Sequence, residues 1–121
     1  MCGIGVDICS VSRIERAMAR DVFIKKAFVD EEIEYAHRSY RPAVHLASAF
    51  AAREALAKAS GLGLAKMGLH EAWVRRDEAG SPRICLSPAL EEEFSKKGIR
   101  KIWLSISHEG DFAVAVVILE D

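Results

Sequence analysis

Apolar and polar positions change their spacing several times along this chain, and each change marks a predicted element. Residues 2–9 hold the run Gly3-Ile4-Gly5-Val6-Asp7-Ile8, a short apolar stretch that reads as a buried strand. Gly3 and Gly5 admit close approach of backbone or ligand there. Ser10 or Ser12 is then placed to cap a helix running to about Arg20. A second helix is predicted to begin after Val29-Asp30 and to end before Pro42, with Asp30-Glu31-Glu32 suited to its positive N-terminal end. Residues 42–60 predict the longest helix, opened by Pro42 and stopped by Gly61. From His70 the pattern changes. Residues 71–77 and 83–86 read as two strands about the turn Glu78-Ala79-Gly80-Ser81-Pro82. Residues 88–97 form a short amphipathic helix closed by Gly98. A final hairpin pairs 101–107 with 112–120 through His108-Glu109-Gly110-Asp111.

One strand, then helices, then antiparallel hairpins predicts an α+β fold, an antiparallel sheet with packed helices. At 121 residues there is room for one core, so 1–121 is read as a single domain. The last strand, from Phe112 to Leu119, is apolar on both faces. Such a strand is covered twice, by helices or by another subunit, and a homo-oligomer is expected.

Half the residues are hydrophobic, which marks a folded globular protein. A net charge of −1 points to neither a nucleic-acid binder nor a membrane-surface protein. No apolar run is long enough to span a membrane, and the first residues enter a strand pattern directly, so no signal peptide is expected. Cys2, Cys9 and Cys85 are odd in number and lack zinc spacing, which fits reduced thiols and a cytoplasmic location. Charge is uneven along the chain. Arg13, Arg16, Arg20, Lys25 and Lys26 outnumber Glu15 and Asp21 in one stretch, and the three arginines are spaced as one stripe on the first helix.

Three groups of residues are candidates for chemistry. Glu54 and Lys58 lie four apart and share a face of the long helix. They form either a surface ion pair or part of a buried site, and the helix is apolar nearly all round, with alanines leaving space above the pair. Asp7, at the end of the first strand, either caps a turn or acts as a second carboxylate. Two carboxylates can ligate a Mg²⁺ that keeps waters and binds substrate phosphate, and a lysine beside them neutralises phosphate charge. Gly3-Ile4-Gly5 is not a dinucleotide fingerprint, and no Walker lysine is present. Ser105-Ile106-Ser107-His108 is either a polar strand end or an anion contact. Ile102, Leu104 and Ile106 face one way there, and Trp103, Ser105 and Ser107 the other.

Several motifs stand in order along the chain. They are Gly3-Ile4-Gly5-Val6-Asp7-Ile8, Phe50-Ala51-Ala52-Arg53-Glu54-Ala55-x-x-Lys58-Ala59-x-Gly61, Gly80-x-Pro82, and Ser105-x-Ser107-His108 before an apolar last strand. Together they resemble holo-[acyl-carrier-protein] synthase, the small, single-domain type of 4′-phosphopantetheinyl transferase, over essentially the whole chain. The resemblance implies transfer of 4′-phosphopantetheine from coenzyme A to a serine of an acyl carrier protein, in fatty acid biosynthesis, with adenosine 3′,5′-bisphosphate leaving. It implies Mg²⁺, or Mn²⁺ in its place, on Asp7 and Glu54, with Lys58 at the coenzyme A phosphates. Ser107 and His108 would contact nucleotide phosphate, and Gly80 and Pro82 would lie in a turn beside the adenine nucleotide. Arg53 would be a further cofactor contact, at a position that is commonly lysine in the family. The family's Phe-Thr pair is Phe28-Val29 here, so Asp30 is expected to cap the second helix instead.

The resemblance also implies a homotrimer with active sites at subunit interfaces, His108 of one chain facing Asp7 and Glu54 of its neighbour. It places carrier-protein recognition on the first helix, through Arg13, Arg16 and Arg20 with Met18 and Phe23 as apolar anchors. Either Glu54 or a metal-bound water would take the serine proton. The competing expectations are a non-catalytic coenzyme A or nucleotide-binding oligomer, holding its ligand through His108 and Lys58, and a structural oligomer in which Glu54–Lys58 is internal glue.

Overall fold

The structure, a computed structural model, describes residues 2–121. The chain begins with β1 (Gly3–Ser10), α1 (Val11–Ala17), α2 (Asp21–Ala27), α3 (Asp30–Arg38) and α4 (Pro42–Ser60). It continues with α5 (Leu64–Met67), β2 (Ala72–Arg76), β3 (Pro82–Leu86), α6 (Pro88–Lys96), β4 (Lys101–Glu109) and β5 (Phe112–Glu120). An antiparallel sheet of order β1-β5-β4 carries the core on one face, and β2 and β3 form a separate hairpin. The α+β expectation holds. Among the described residues no helix is long and apolar enough to cross a membrane.

The core lies between α4 and the inner face of the larger sheet. Ala113, Ala115, Val117 and Leu119 of β5 are fully buried, as are Ala47, Ala51 and Ala55 of α4. Small side chains let the helix lie almost on the strands. On β1 the approach is so close that a Cβ on Gly5 would stand 2.0 Å from the Ala55 carbonyl oxygen, and one on Gly3 equally near that of Ala59. Glycine is required at both positions by contact with the helix. Pro42 opens α4, and Gly61, at φ 78°, closes it in the left-handed conformation.

The other face of the sheet is different. Ile4, Val6, Ile8, Trp103 and Phe112 all stand half or more exposed on it.

Several boundaries differ from the pattern reading. The helix expected to reach Arg20 stops at Ala17, and a separate α2 follows. The break falls at Arg20, whose φ −109° and ψ 97° are extended, and Asp21 then opens α2 with a carboxylate at its positive end. Glycines of positive φ, Gly63 and Gly68, bracket the unanticipated short α5. β4 runs on through Glu109, so the final turn narrows to Gly110-Asp111, with Gly110 at φ 58°. Glycine at the first central position is what a two-residue hairpin turn of this hand requires. Asp30 does not cap α3 but is its first residue; the Val29 N–H donates instead to Glu32 Oε1 at 3.1 Å.

Candidate active site

Asp7 faces α4 because β1 alternates, and Gly3, Gly5, Asp7 and Cys9 share its inner side. Register confirms the row: Asp7 pairs with Ala115, which pairs in turn with Ile106. Glu54 leaves α4 one residue before Ala55, the residue whose carbonyl lies against Gly5, so the helix turns its carboxylate into the cleft that Asp7 also lines. Both carboxylates line one cleft of about 450 Å³, walled by β1, α1, α2 and α4. Lys58 crosses from α4 to β1, where its Nζ donates to Asp7 Oδ1 at 3.2 Å and to the Val6 carbonyl at 3.0 Å. The expected pairing of Lys58 with Glu54 is not the one formed. The Asp7 carboxylate is mostly buried, with 19% of its side chain exposed, while Lys58 keeps 56%. Glu54 enters no ion pair among the described residues.

The cleft lining sets two carboxylates, Asp7 and Glu54, against two guanidiniums, Arg13 and Arg20. The Cys9 thiol senses these charges: burial first, then the Asp7 carboxylate, push its pKa up to about 11, against the pull of Arg13. Cys9 is a neutral lining group and not a nucleophile. Among the described residues no three His, Cys, Asp or Glu side chains converge to form a metal cage. Two carboxylates alone suit an ion that takes its remaining ligands from water and substrate.

Arg13, Arg20 and Phe23 line the same cleft, so the basic stripe does reach the carboxylates. Arg16 borders a shallow depression with Arg13 and Arg20. Phe23 belongs to α2 and packs edge-on to Phe28, with ring centres 6.4 Å apart, and against Phe50 at 6.5 Å. Met18 packs partly buried against the core just beyond α1.

Arg53 is a correction. Its side chain is 1% exposed and is not part of the Asp7–Glu54 cleft lining; its contacts are structural. Nη1 donates to Glu32 Oε2 at 2.8 Å, Nη2 to Glu32 Oε1, and Nε to the Leu69 carbonyl at 2.7 Å. Glu32 Oε2 also accepts from the Val74 N–H at 2.9 Å. This buried, bidentate pair fastens α3 and β2 to α4. Adjacent helical positions point about 100° apart, which is why Glu54 and Arg53 serve different sides.

Ser107 and His108 do not converge either. Register sets Ser107 opposite Val114, on the outer face, and His108 opposite the buried Ala113, two strands from Cys9. His108 is exposed and is absent from the lining of the Asp7–Glu54 cleft. Gly80, at φ 87°, and Pro82 lie at the tip of the β2–β3 hairpin, where Arg76 Nη1 donates to the Gly80 carbonyl at 3.3 Å.

Pattern reasoning missed a second cavity, of about 110 Å³, between α3, the start of α4 and β2. Arg38 and Arg76 both stand 5.9 Å from the centre of the Tyr35 ring there, and His45 lies edge-on to that ring at 5.1 Å. His45 Nδ1 is buried without a hydrogen-bond partner among the described residues. Burial, then the charges of Arg76 and His108, hold the imidazole pKa below its ordinary value. These residues come from three elements at no recognisable spacing, so the sequence carried no signal for the cavity. It missed Asp111 as well, which stood out only as a turn residue.

The profile of the 4′-phosphopantetheinyl transferase superfamily matches residues 3–117. The chain is 42% identical over 120 residues to the holo-[acyl-carrier-protein] synthase of Clostridium novyi (strain NT), covering 98% of this chain and 86% of that one. The crystal structure of holo-[acyl-carrier-protein] synthase from Neisseria meningitidis superimposes with a TM-score of 0.93 at 33% identity, over 100% of this chain and 99% of that one. The Helicobacter pylori enzyme, solved in complex with coenzyme A, gives a TM-score of 0.84 at 30% identity, over 97% of this chain and 99% of that one.

Proposed function

This chain belongs to the 4′-phosphopantetheinyl transferase superfamily, and from that footing we propose that it is a holo-[acyl-carrier-protein] synthase. It transfers 4′-phosphopantetheine from coenzyme A to a serine of an apo acyl carrier protein and releases adenosine 3′,5′-bisphosphate. One observation carries the proposal. Two carboxylates 47 positions apart in sequence, Asp7 and Glu54, line one cleft, with Lys58 bonded to the first. A purely structural Glu54–Lys58 pair would not leave Glu54 without an ionic partner in an open cleft.

The donor set fits Mg²⁺, with Mn²⁺ as its substitute: two carboxylates, no cage, and room for water and phosphate oxygens. Bound there, the ion would supply charge neutralisation at the pyrophosphate. The chain's own groups do the rest. Asp7 is oriented by Lys58, whose Nζ meets the phosphoryl oxygens as substrate enters. Glu54, in no ion pair among the described residues, is placed to accept the proton of the incoming serine hydroxyl, directly or through a water, as that oxygen attacks the β-phosphorus. Positioning and charge stabilisation account for most of the acceleration in such transfers.

Arg13, Arg16 and Arg20 form the approach for an acidic carrier protein, beside Met18 and Phe23. Gly80 and Pro82 on the hairpin tip, and His108 with Ser107, serve coenzyme A from a neighbouring chain in a homotrimer. The apolar outer sheet face of Ile4, Val6, Ile8 and Phe112 supports that assembly, because so continuous a patch is unusual on a monomer. The single domain acts in fatty acid biosynthesis, and its free thiols suit the reducing cytoplasm.

The test uses the intact chain with coenzyme A, Mg²⁺ and apo carrier protein, following carrier mass and adenosine 3′,5′-bisphosphate release. Asp7→Ala and Glu54→Ala are each expected to lower kcat by about 10²-fold or more with unchanged melting, as loss of preorganised charge does elsewhere. Full activity in either variant would remove that residue from the site.

A further inference from the structure

The first turn of α1 takes most of its hydrogen bonds from the distant β4–β5 turn. The Val11 N–H donates to the Asp111 carbonyl at 2.7 Å, and the Ser12 N–H donates to Asp111 Oδ1 at 2.8 Å. The hydroxyls of Ser10 and Ser12 both donate to Asp111 Oδ2, each at 2.8 Å. The Arg13 N–H goes to Ser10 Oγ at 3.3 Å. The first three N–H groups of α1, which no helix can satisfy internally, are all satisfied, two of them by Asp111.

α1 needs this help. It has seven residues, and isolated helices shorter than about 12 are marginal in water. No acidic residue lies in its own first turn, so the Asp111 carboxylate also supplies the negative charge its positive end favours. The hydrogen bonds from Ser10, then Ser12, hold the Asp111 carboxyl below the usual carboxylate range.

We infer that Asp111 is a positioning residue for the carrier protein. It fixes the start of α1, and with it the aim of Arg13 and Arg16, at the mouth of the Asp7–Glu54 cleft; this rests on the reading of α1 as the carrier-facing helix. Asp111 touches neither substrate. Lys58 holds Asp7 independently of the turn, so loss of Asp111 loosens the approach to the cleft and leaves its base in place.

The experiment compares Asp111→Ala, Asp111→Asn and Arg16→Glu with the parent enzyme in steady-state transfer, together with amide hydrogen exchange of α1. Asp111→Ala is expected to raise KM for carrier protein about tenfold, the size of a lost helix cap, with kcat and KM for coenzyme A within about twofold. Asp111→Asn keeps an oxygen for the Ser12 N–H and is expected to recover part of the loss. The amides from Arg13 to Ala17 are expected to exchange faster in the alanine variant. Unchanged exchange there, or equal rises in both KM values, would overturn the inference. If Arg16→Glu raises KM for carrier protein and Asp111→Ala does not, the positioning role fails while the carrier-facing helix stands. If Arg16→Glu leaves that KM unchanged, both fail.

Discussion

Arg53 and Glu54 are neighbours on α4 with opposite surroundings. Arg53 is sealed against Glu32, two backbone carbonyls and the face of Phe28, whose ring centre lies 5.2 Å from the guanidinium carbon. Removing one member of a buried pair strands the other charge, at a cost of about 3–5 kcal/mol. Glu32→Gln and Arg53→Met are therefore expected to lower unfolding free energy by about that much in urea melts. A change under about 0.5 kcal/mol would show the pair to be idle. Glu54→Ala, one residue along, is expected to do the reverse and leave stability intact while removing activity. Residue type and spacing alone could not separate these roles. Both side chains are charged and both lie within the matching motif, and only the partner, 21 positions from Arg53, tells which one faces inward.

The closeness of α4 to β1 decides where Asp7 stands. Gly5→Ala would drive a Cβ to 2.0 Å from the Ala55 carbonyl oxygen, with helix backbone on one side and strand backbone on the other. Neither can yield cheaply, so the strand must lift and carry Asp7 with it. The expected outcome is a lower melting temperature and, in the protein that folds, a rate about 10²-fold lower, since displacements of order 1 Å cost that much. A Gly5→Ala enzyme of normal rate and stability would mean that this contact does not set the site. These two elements were legible in advance, because α4 announces itself by Pro42 and Gly61, and the glycines of β1 announce a close neighbour. α2 was not. Its seven residues carry no clear period, and what holds them is Phe23 against Phe28 and Phe50, a tertiary contact. The extension of β4 through Glu109 escaped notice for a related reason, since His108 reads as a turn residue until its pairing with Ala113 is seen.

At the scale of the whole molecule, the proposed function assigns one chain half a site. The Asp7–Glu54 cleft opens near α1, while His108, the hairpin tip at Gly80 and the cavity around His45 lie elsewhere on the surface. The exposed apolar face of the larger sheet gives a reason for chains to meet, and a cyclic assembly would set the second half of one chain against the first half of the next. Asp7→Ala and His108→Ala chains, each assembled alone, are then expected to be inactive or nearly so. Chains of the two kinds, unfolded together and refolded as mixed oligomers, are expected to restore the transfer. Random mixing joins an intact Asp7 half to an intact His108 half at about one interface in four, so about a quarter of parent activity should return. The readout is the intact mass of apo carrier protein after incubation with coenzyme A and Mg²⁺. Appearance of carrier bearing one phosphopantetheine group in the mixture, and not with either variant alone, is the predicted result. Unmodified carrier with the parent enzyme, or with the mixture while the parent enzyme is active, would contradict a phosphopantetheine transfer site shared between chains.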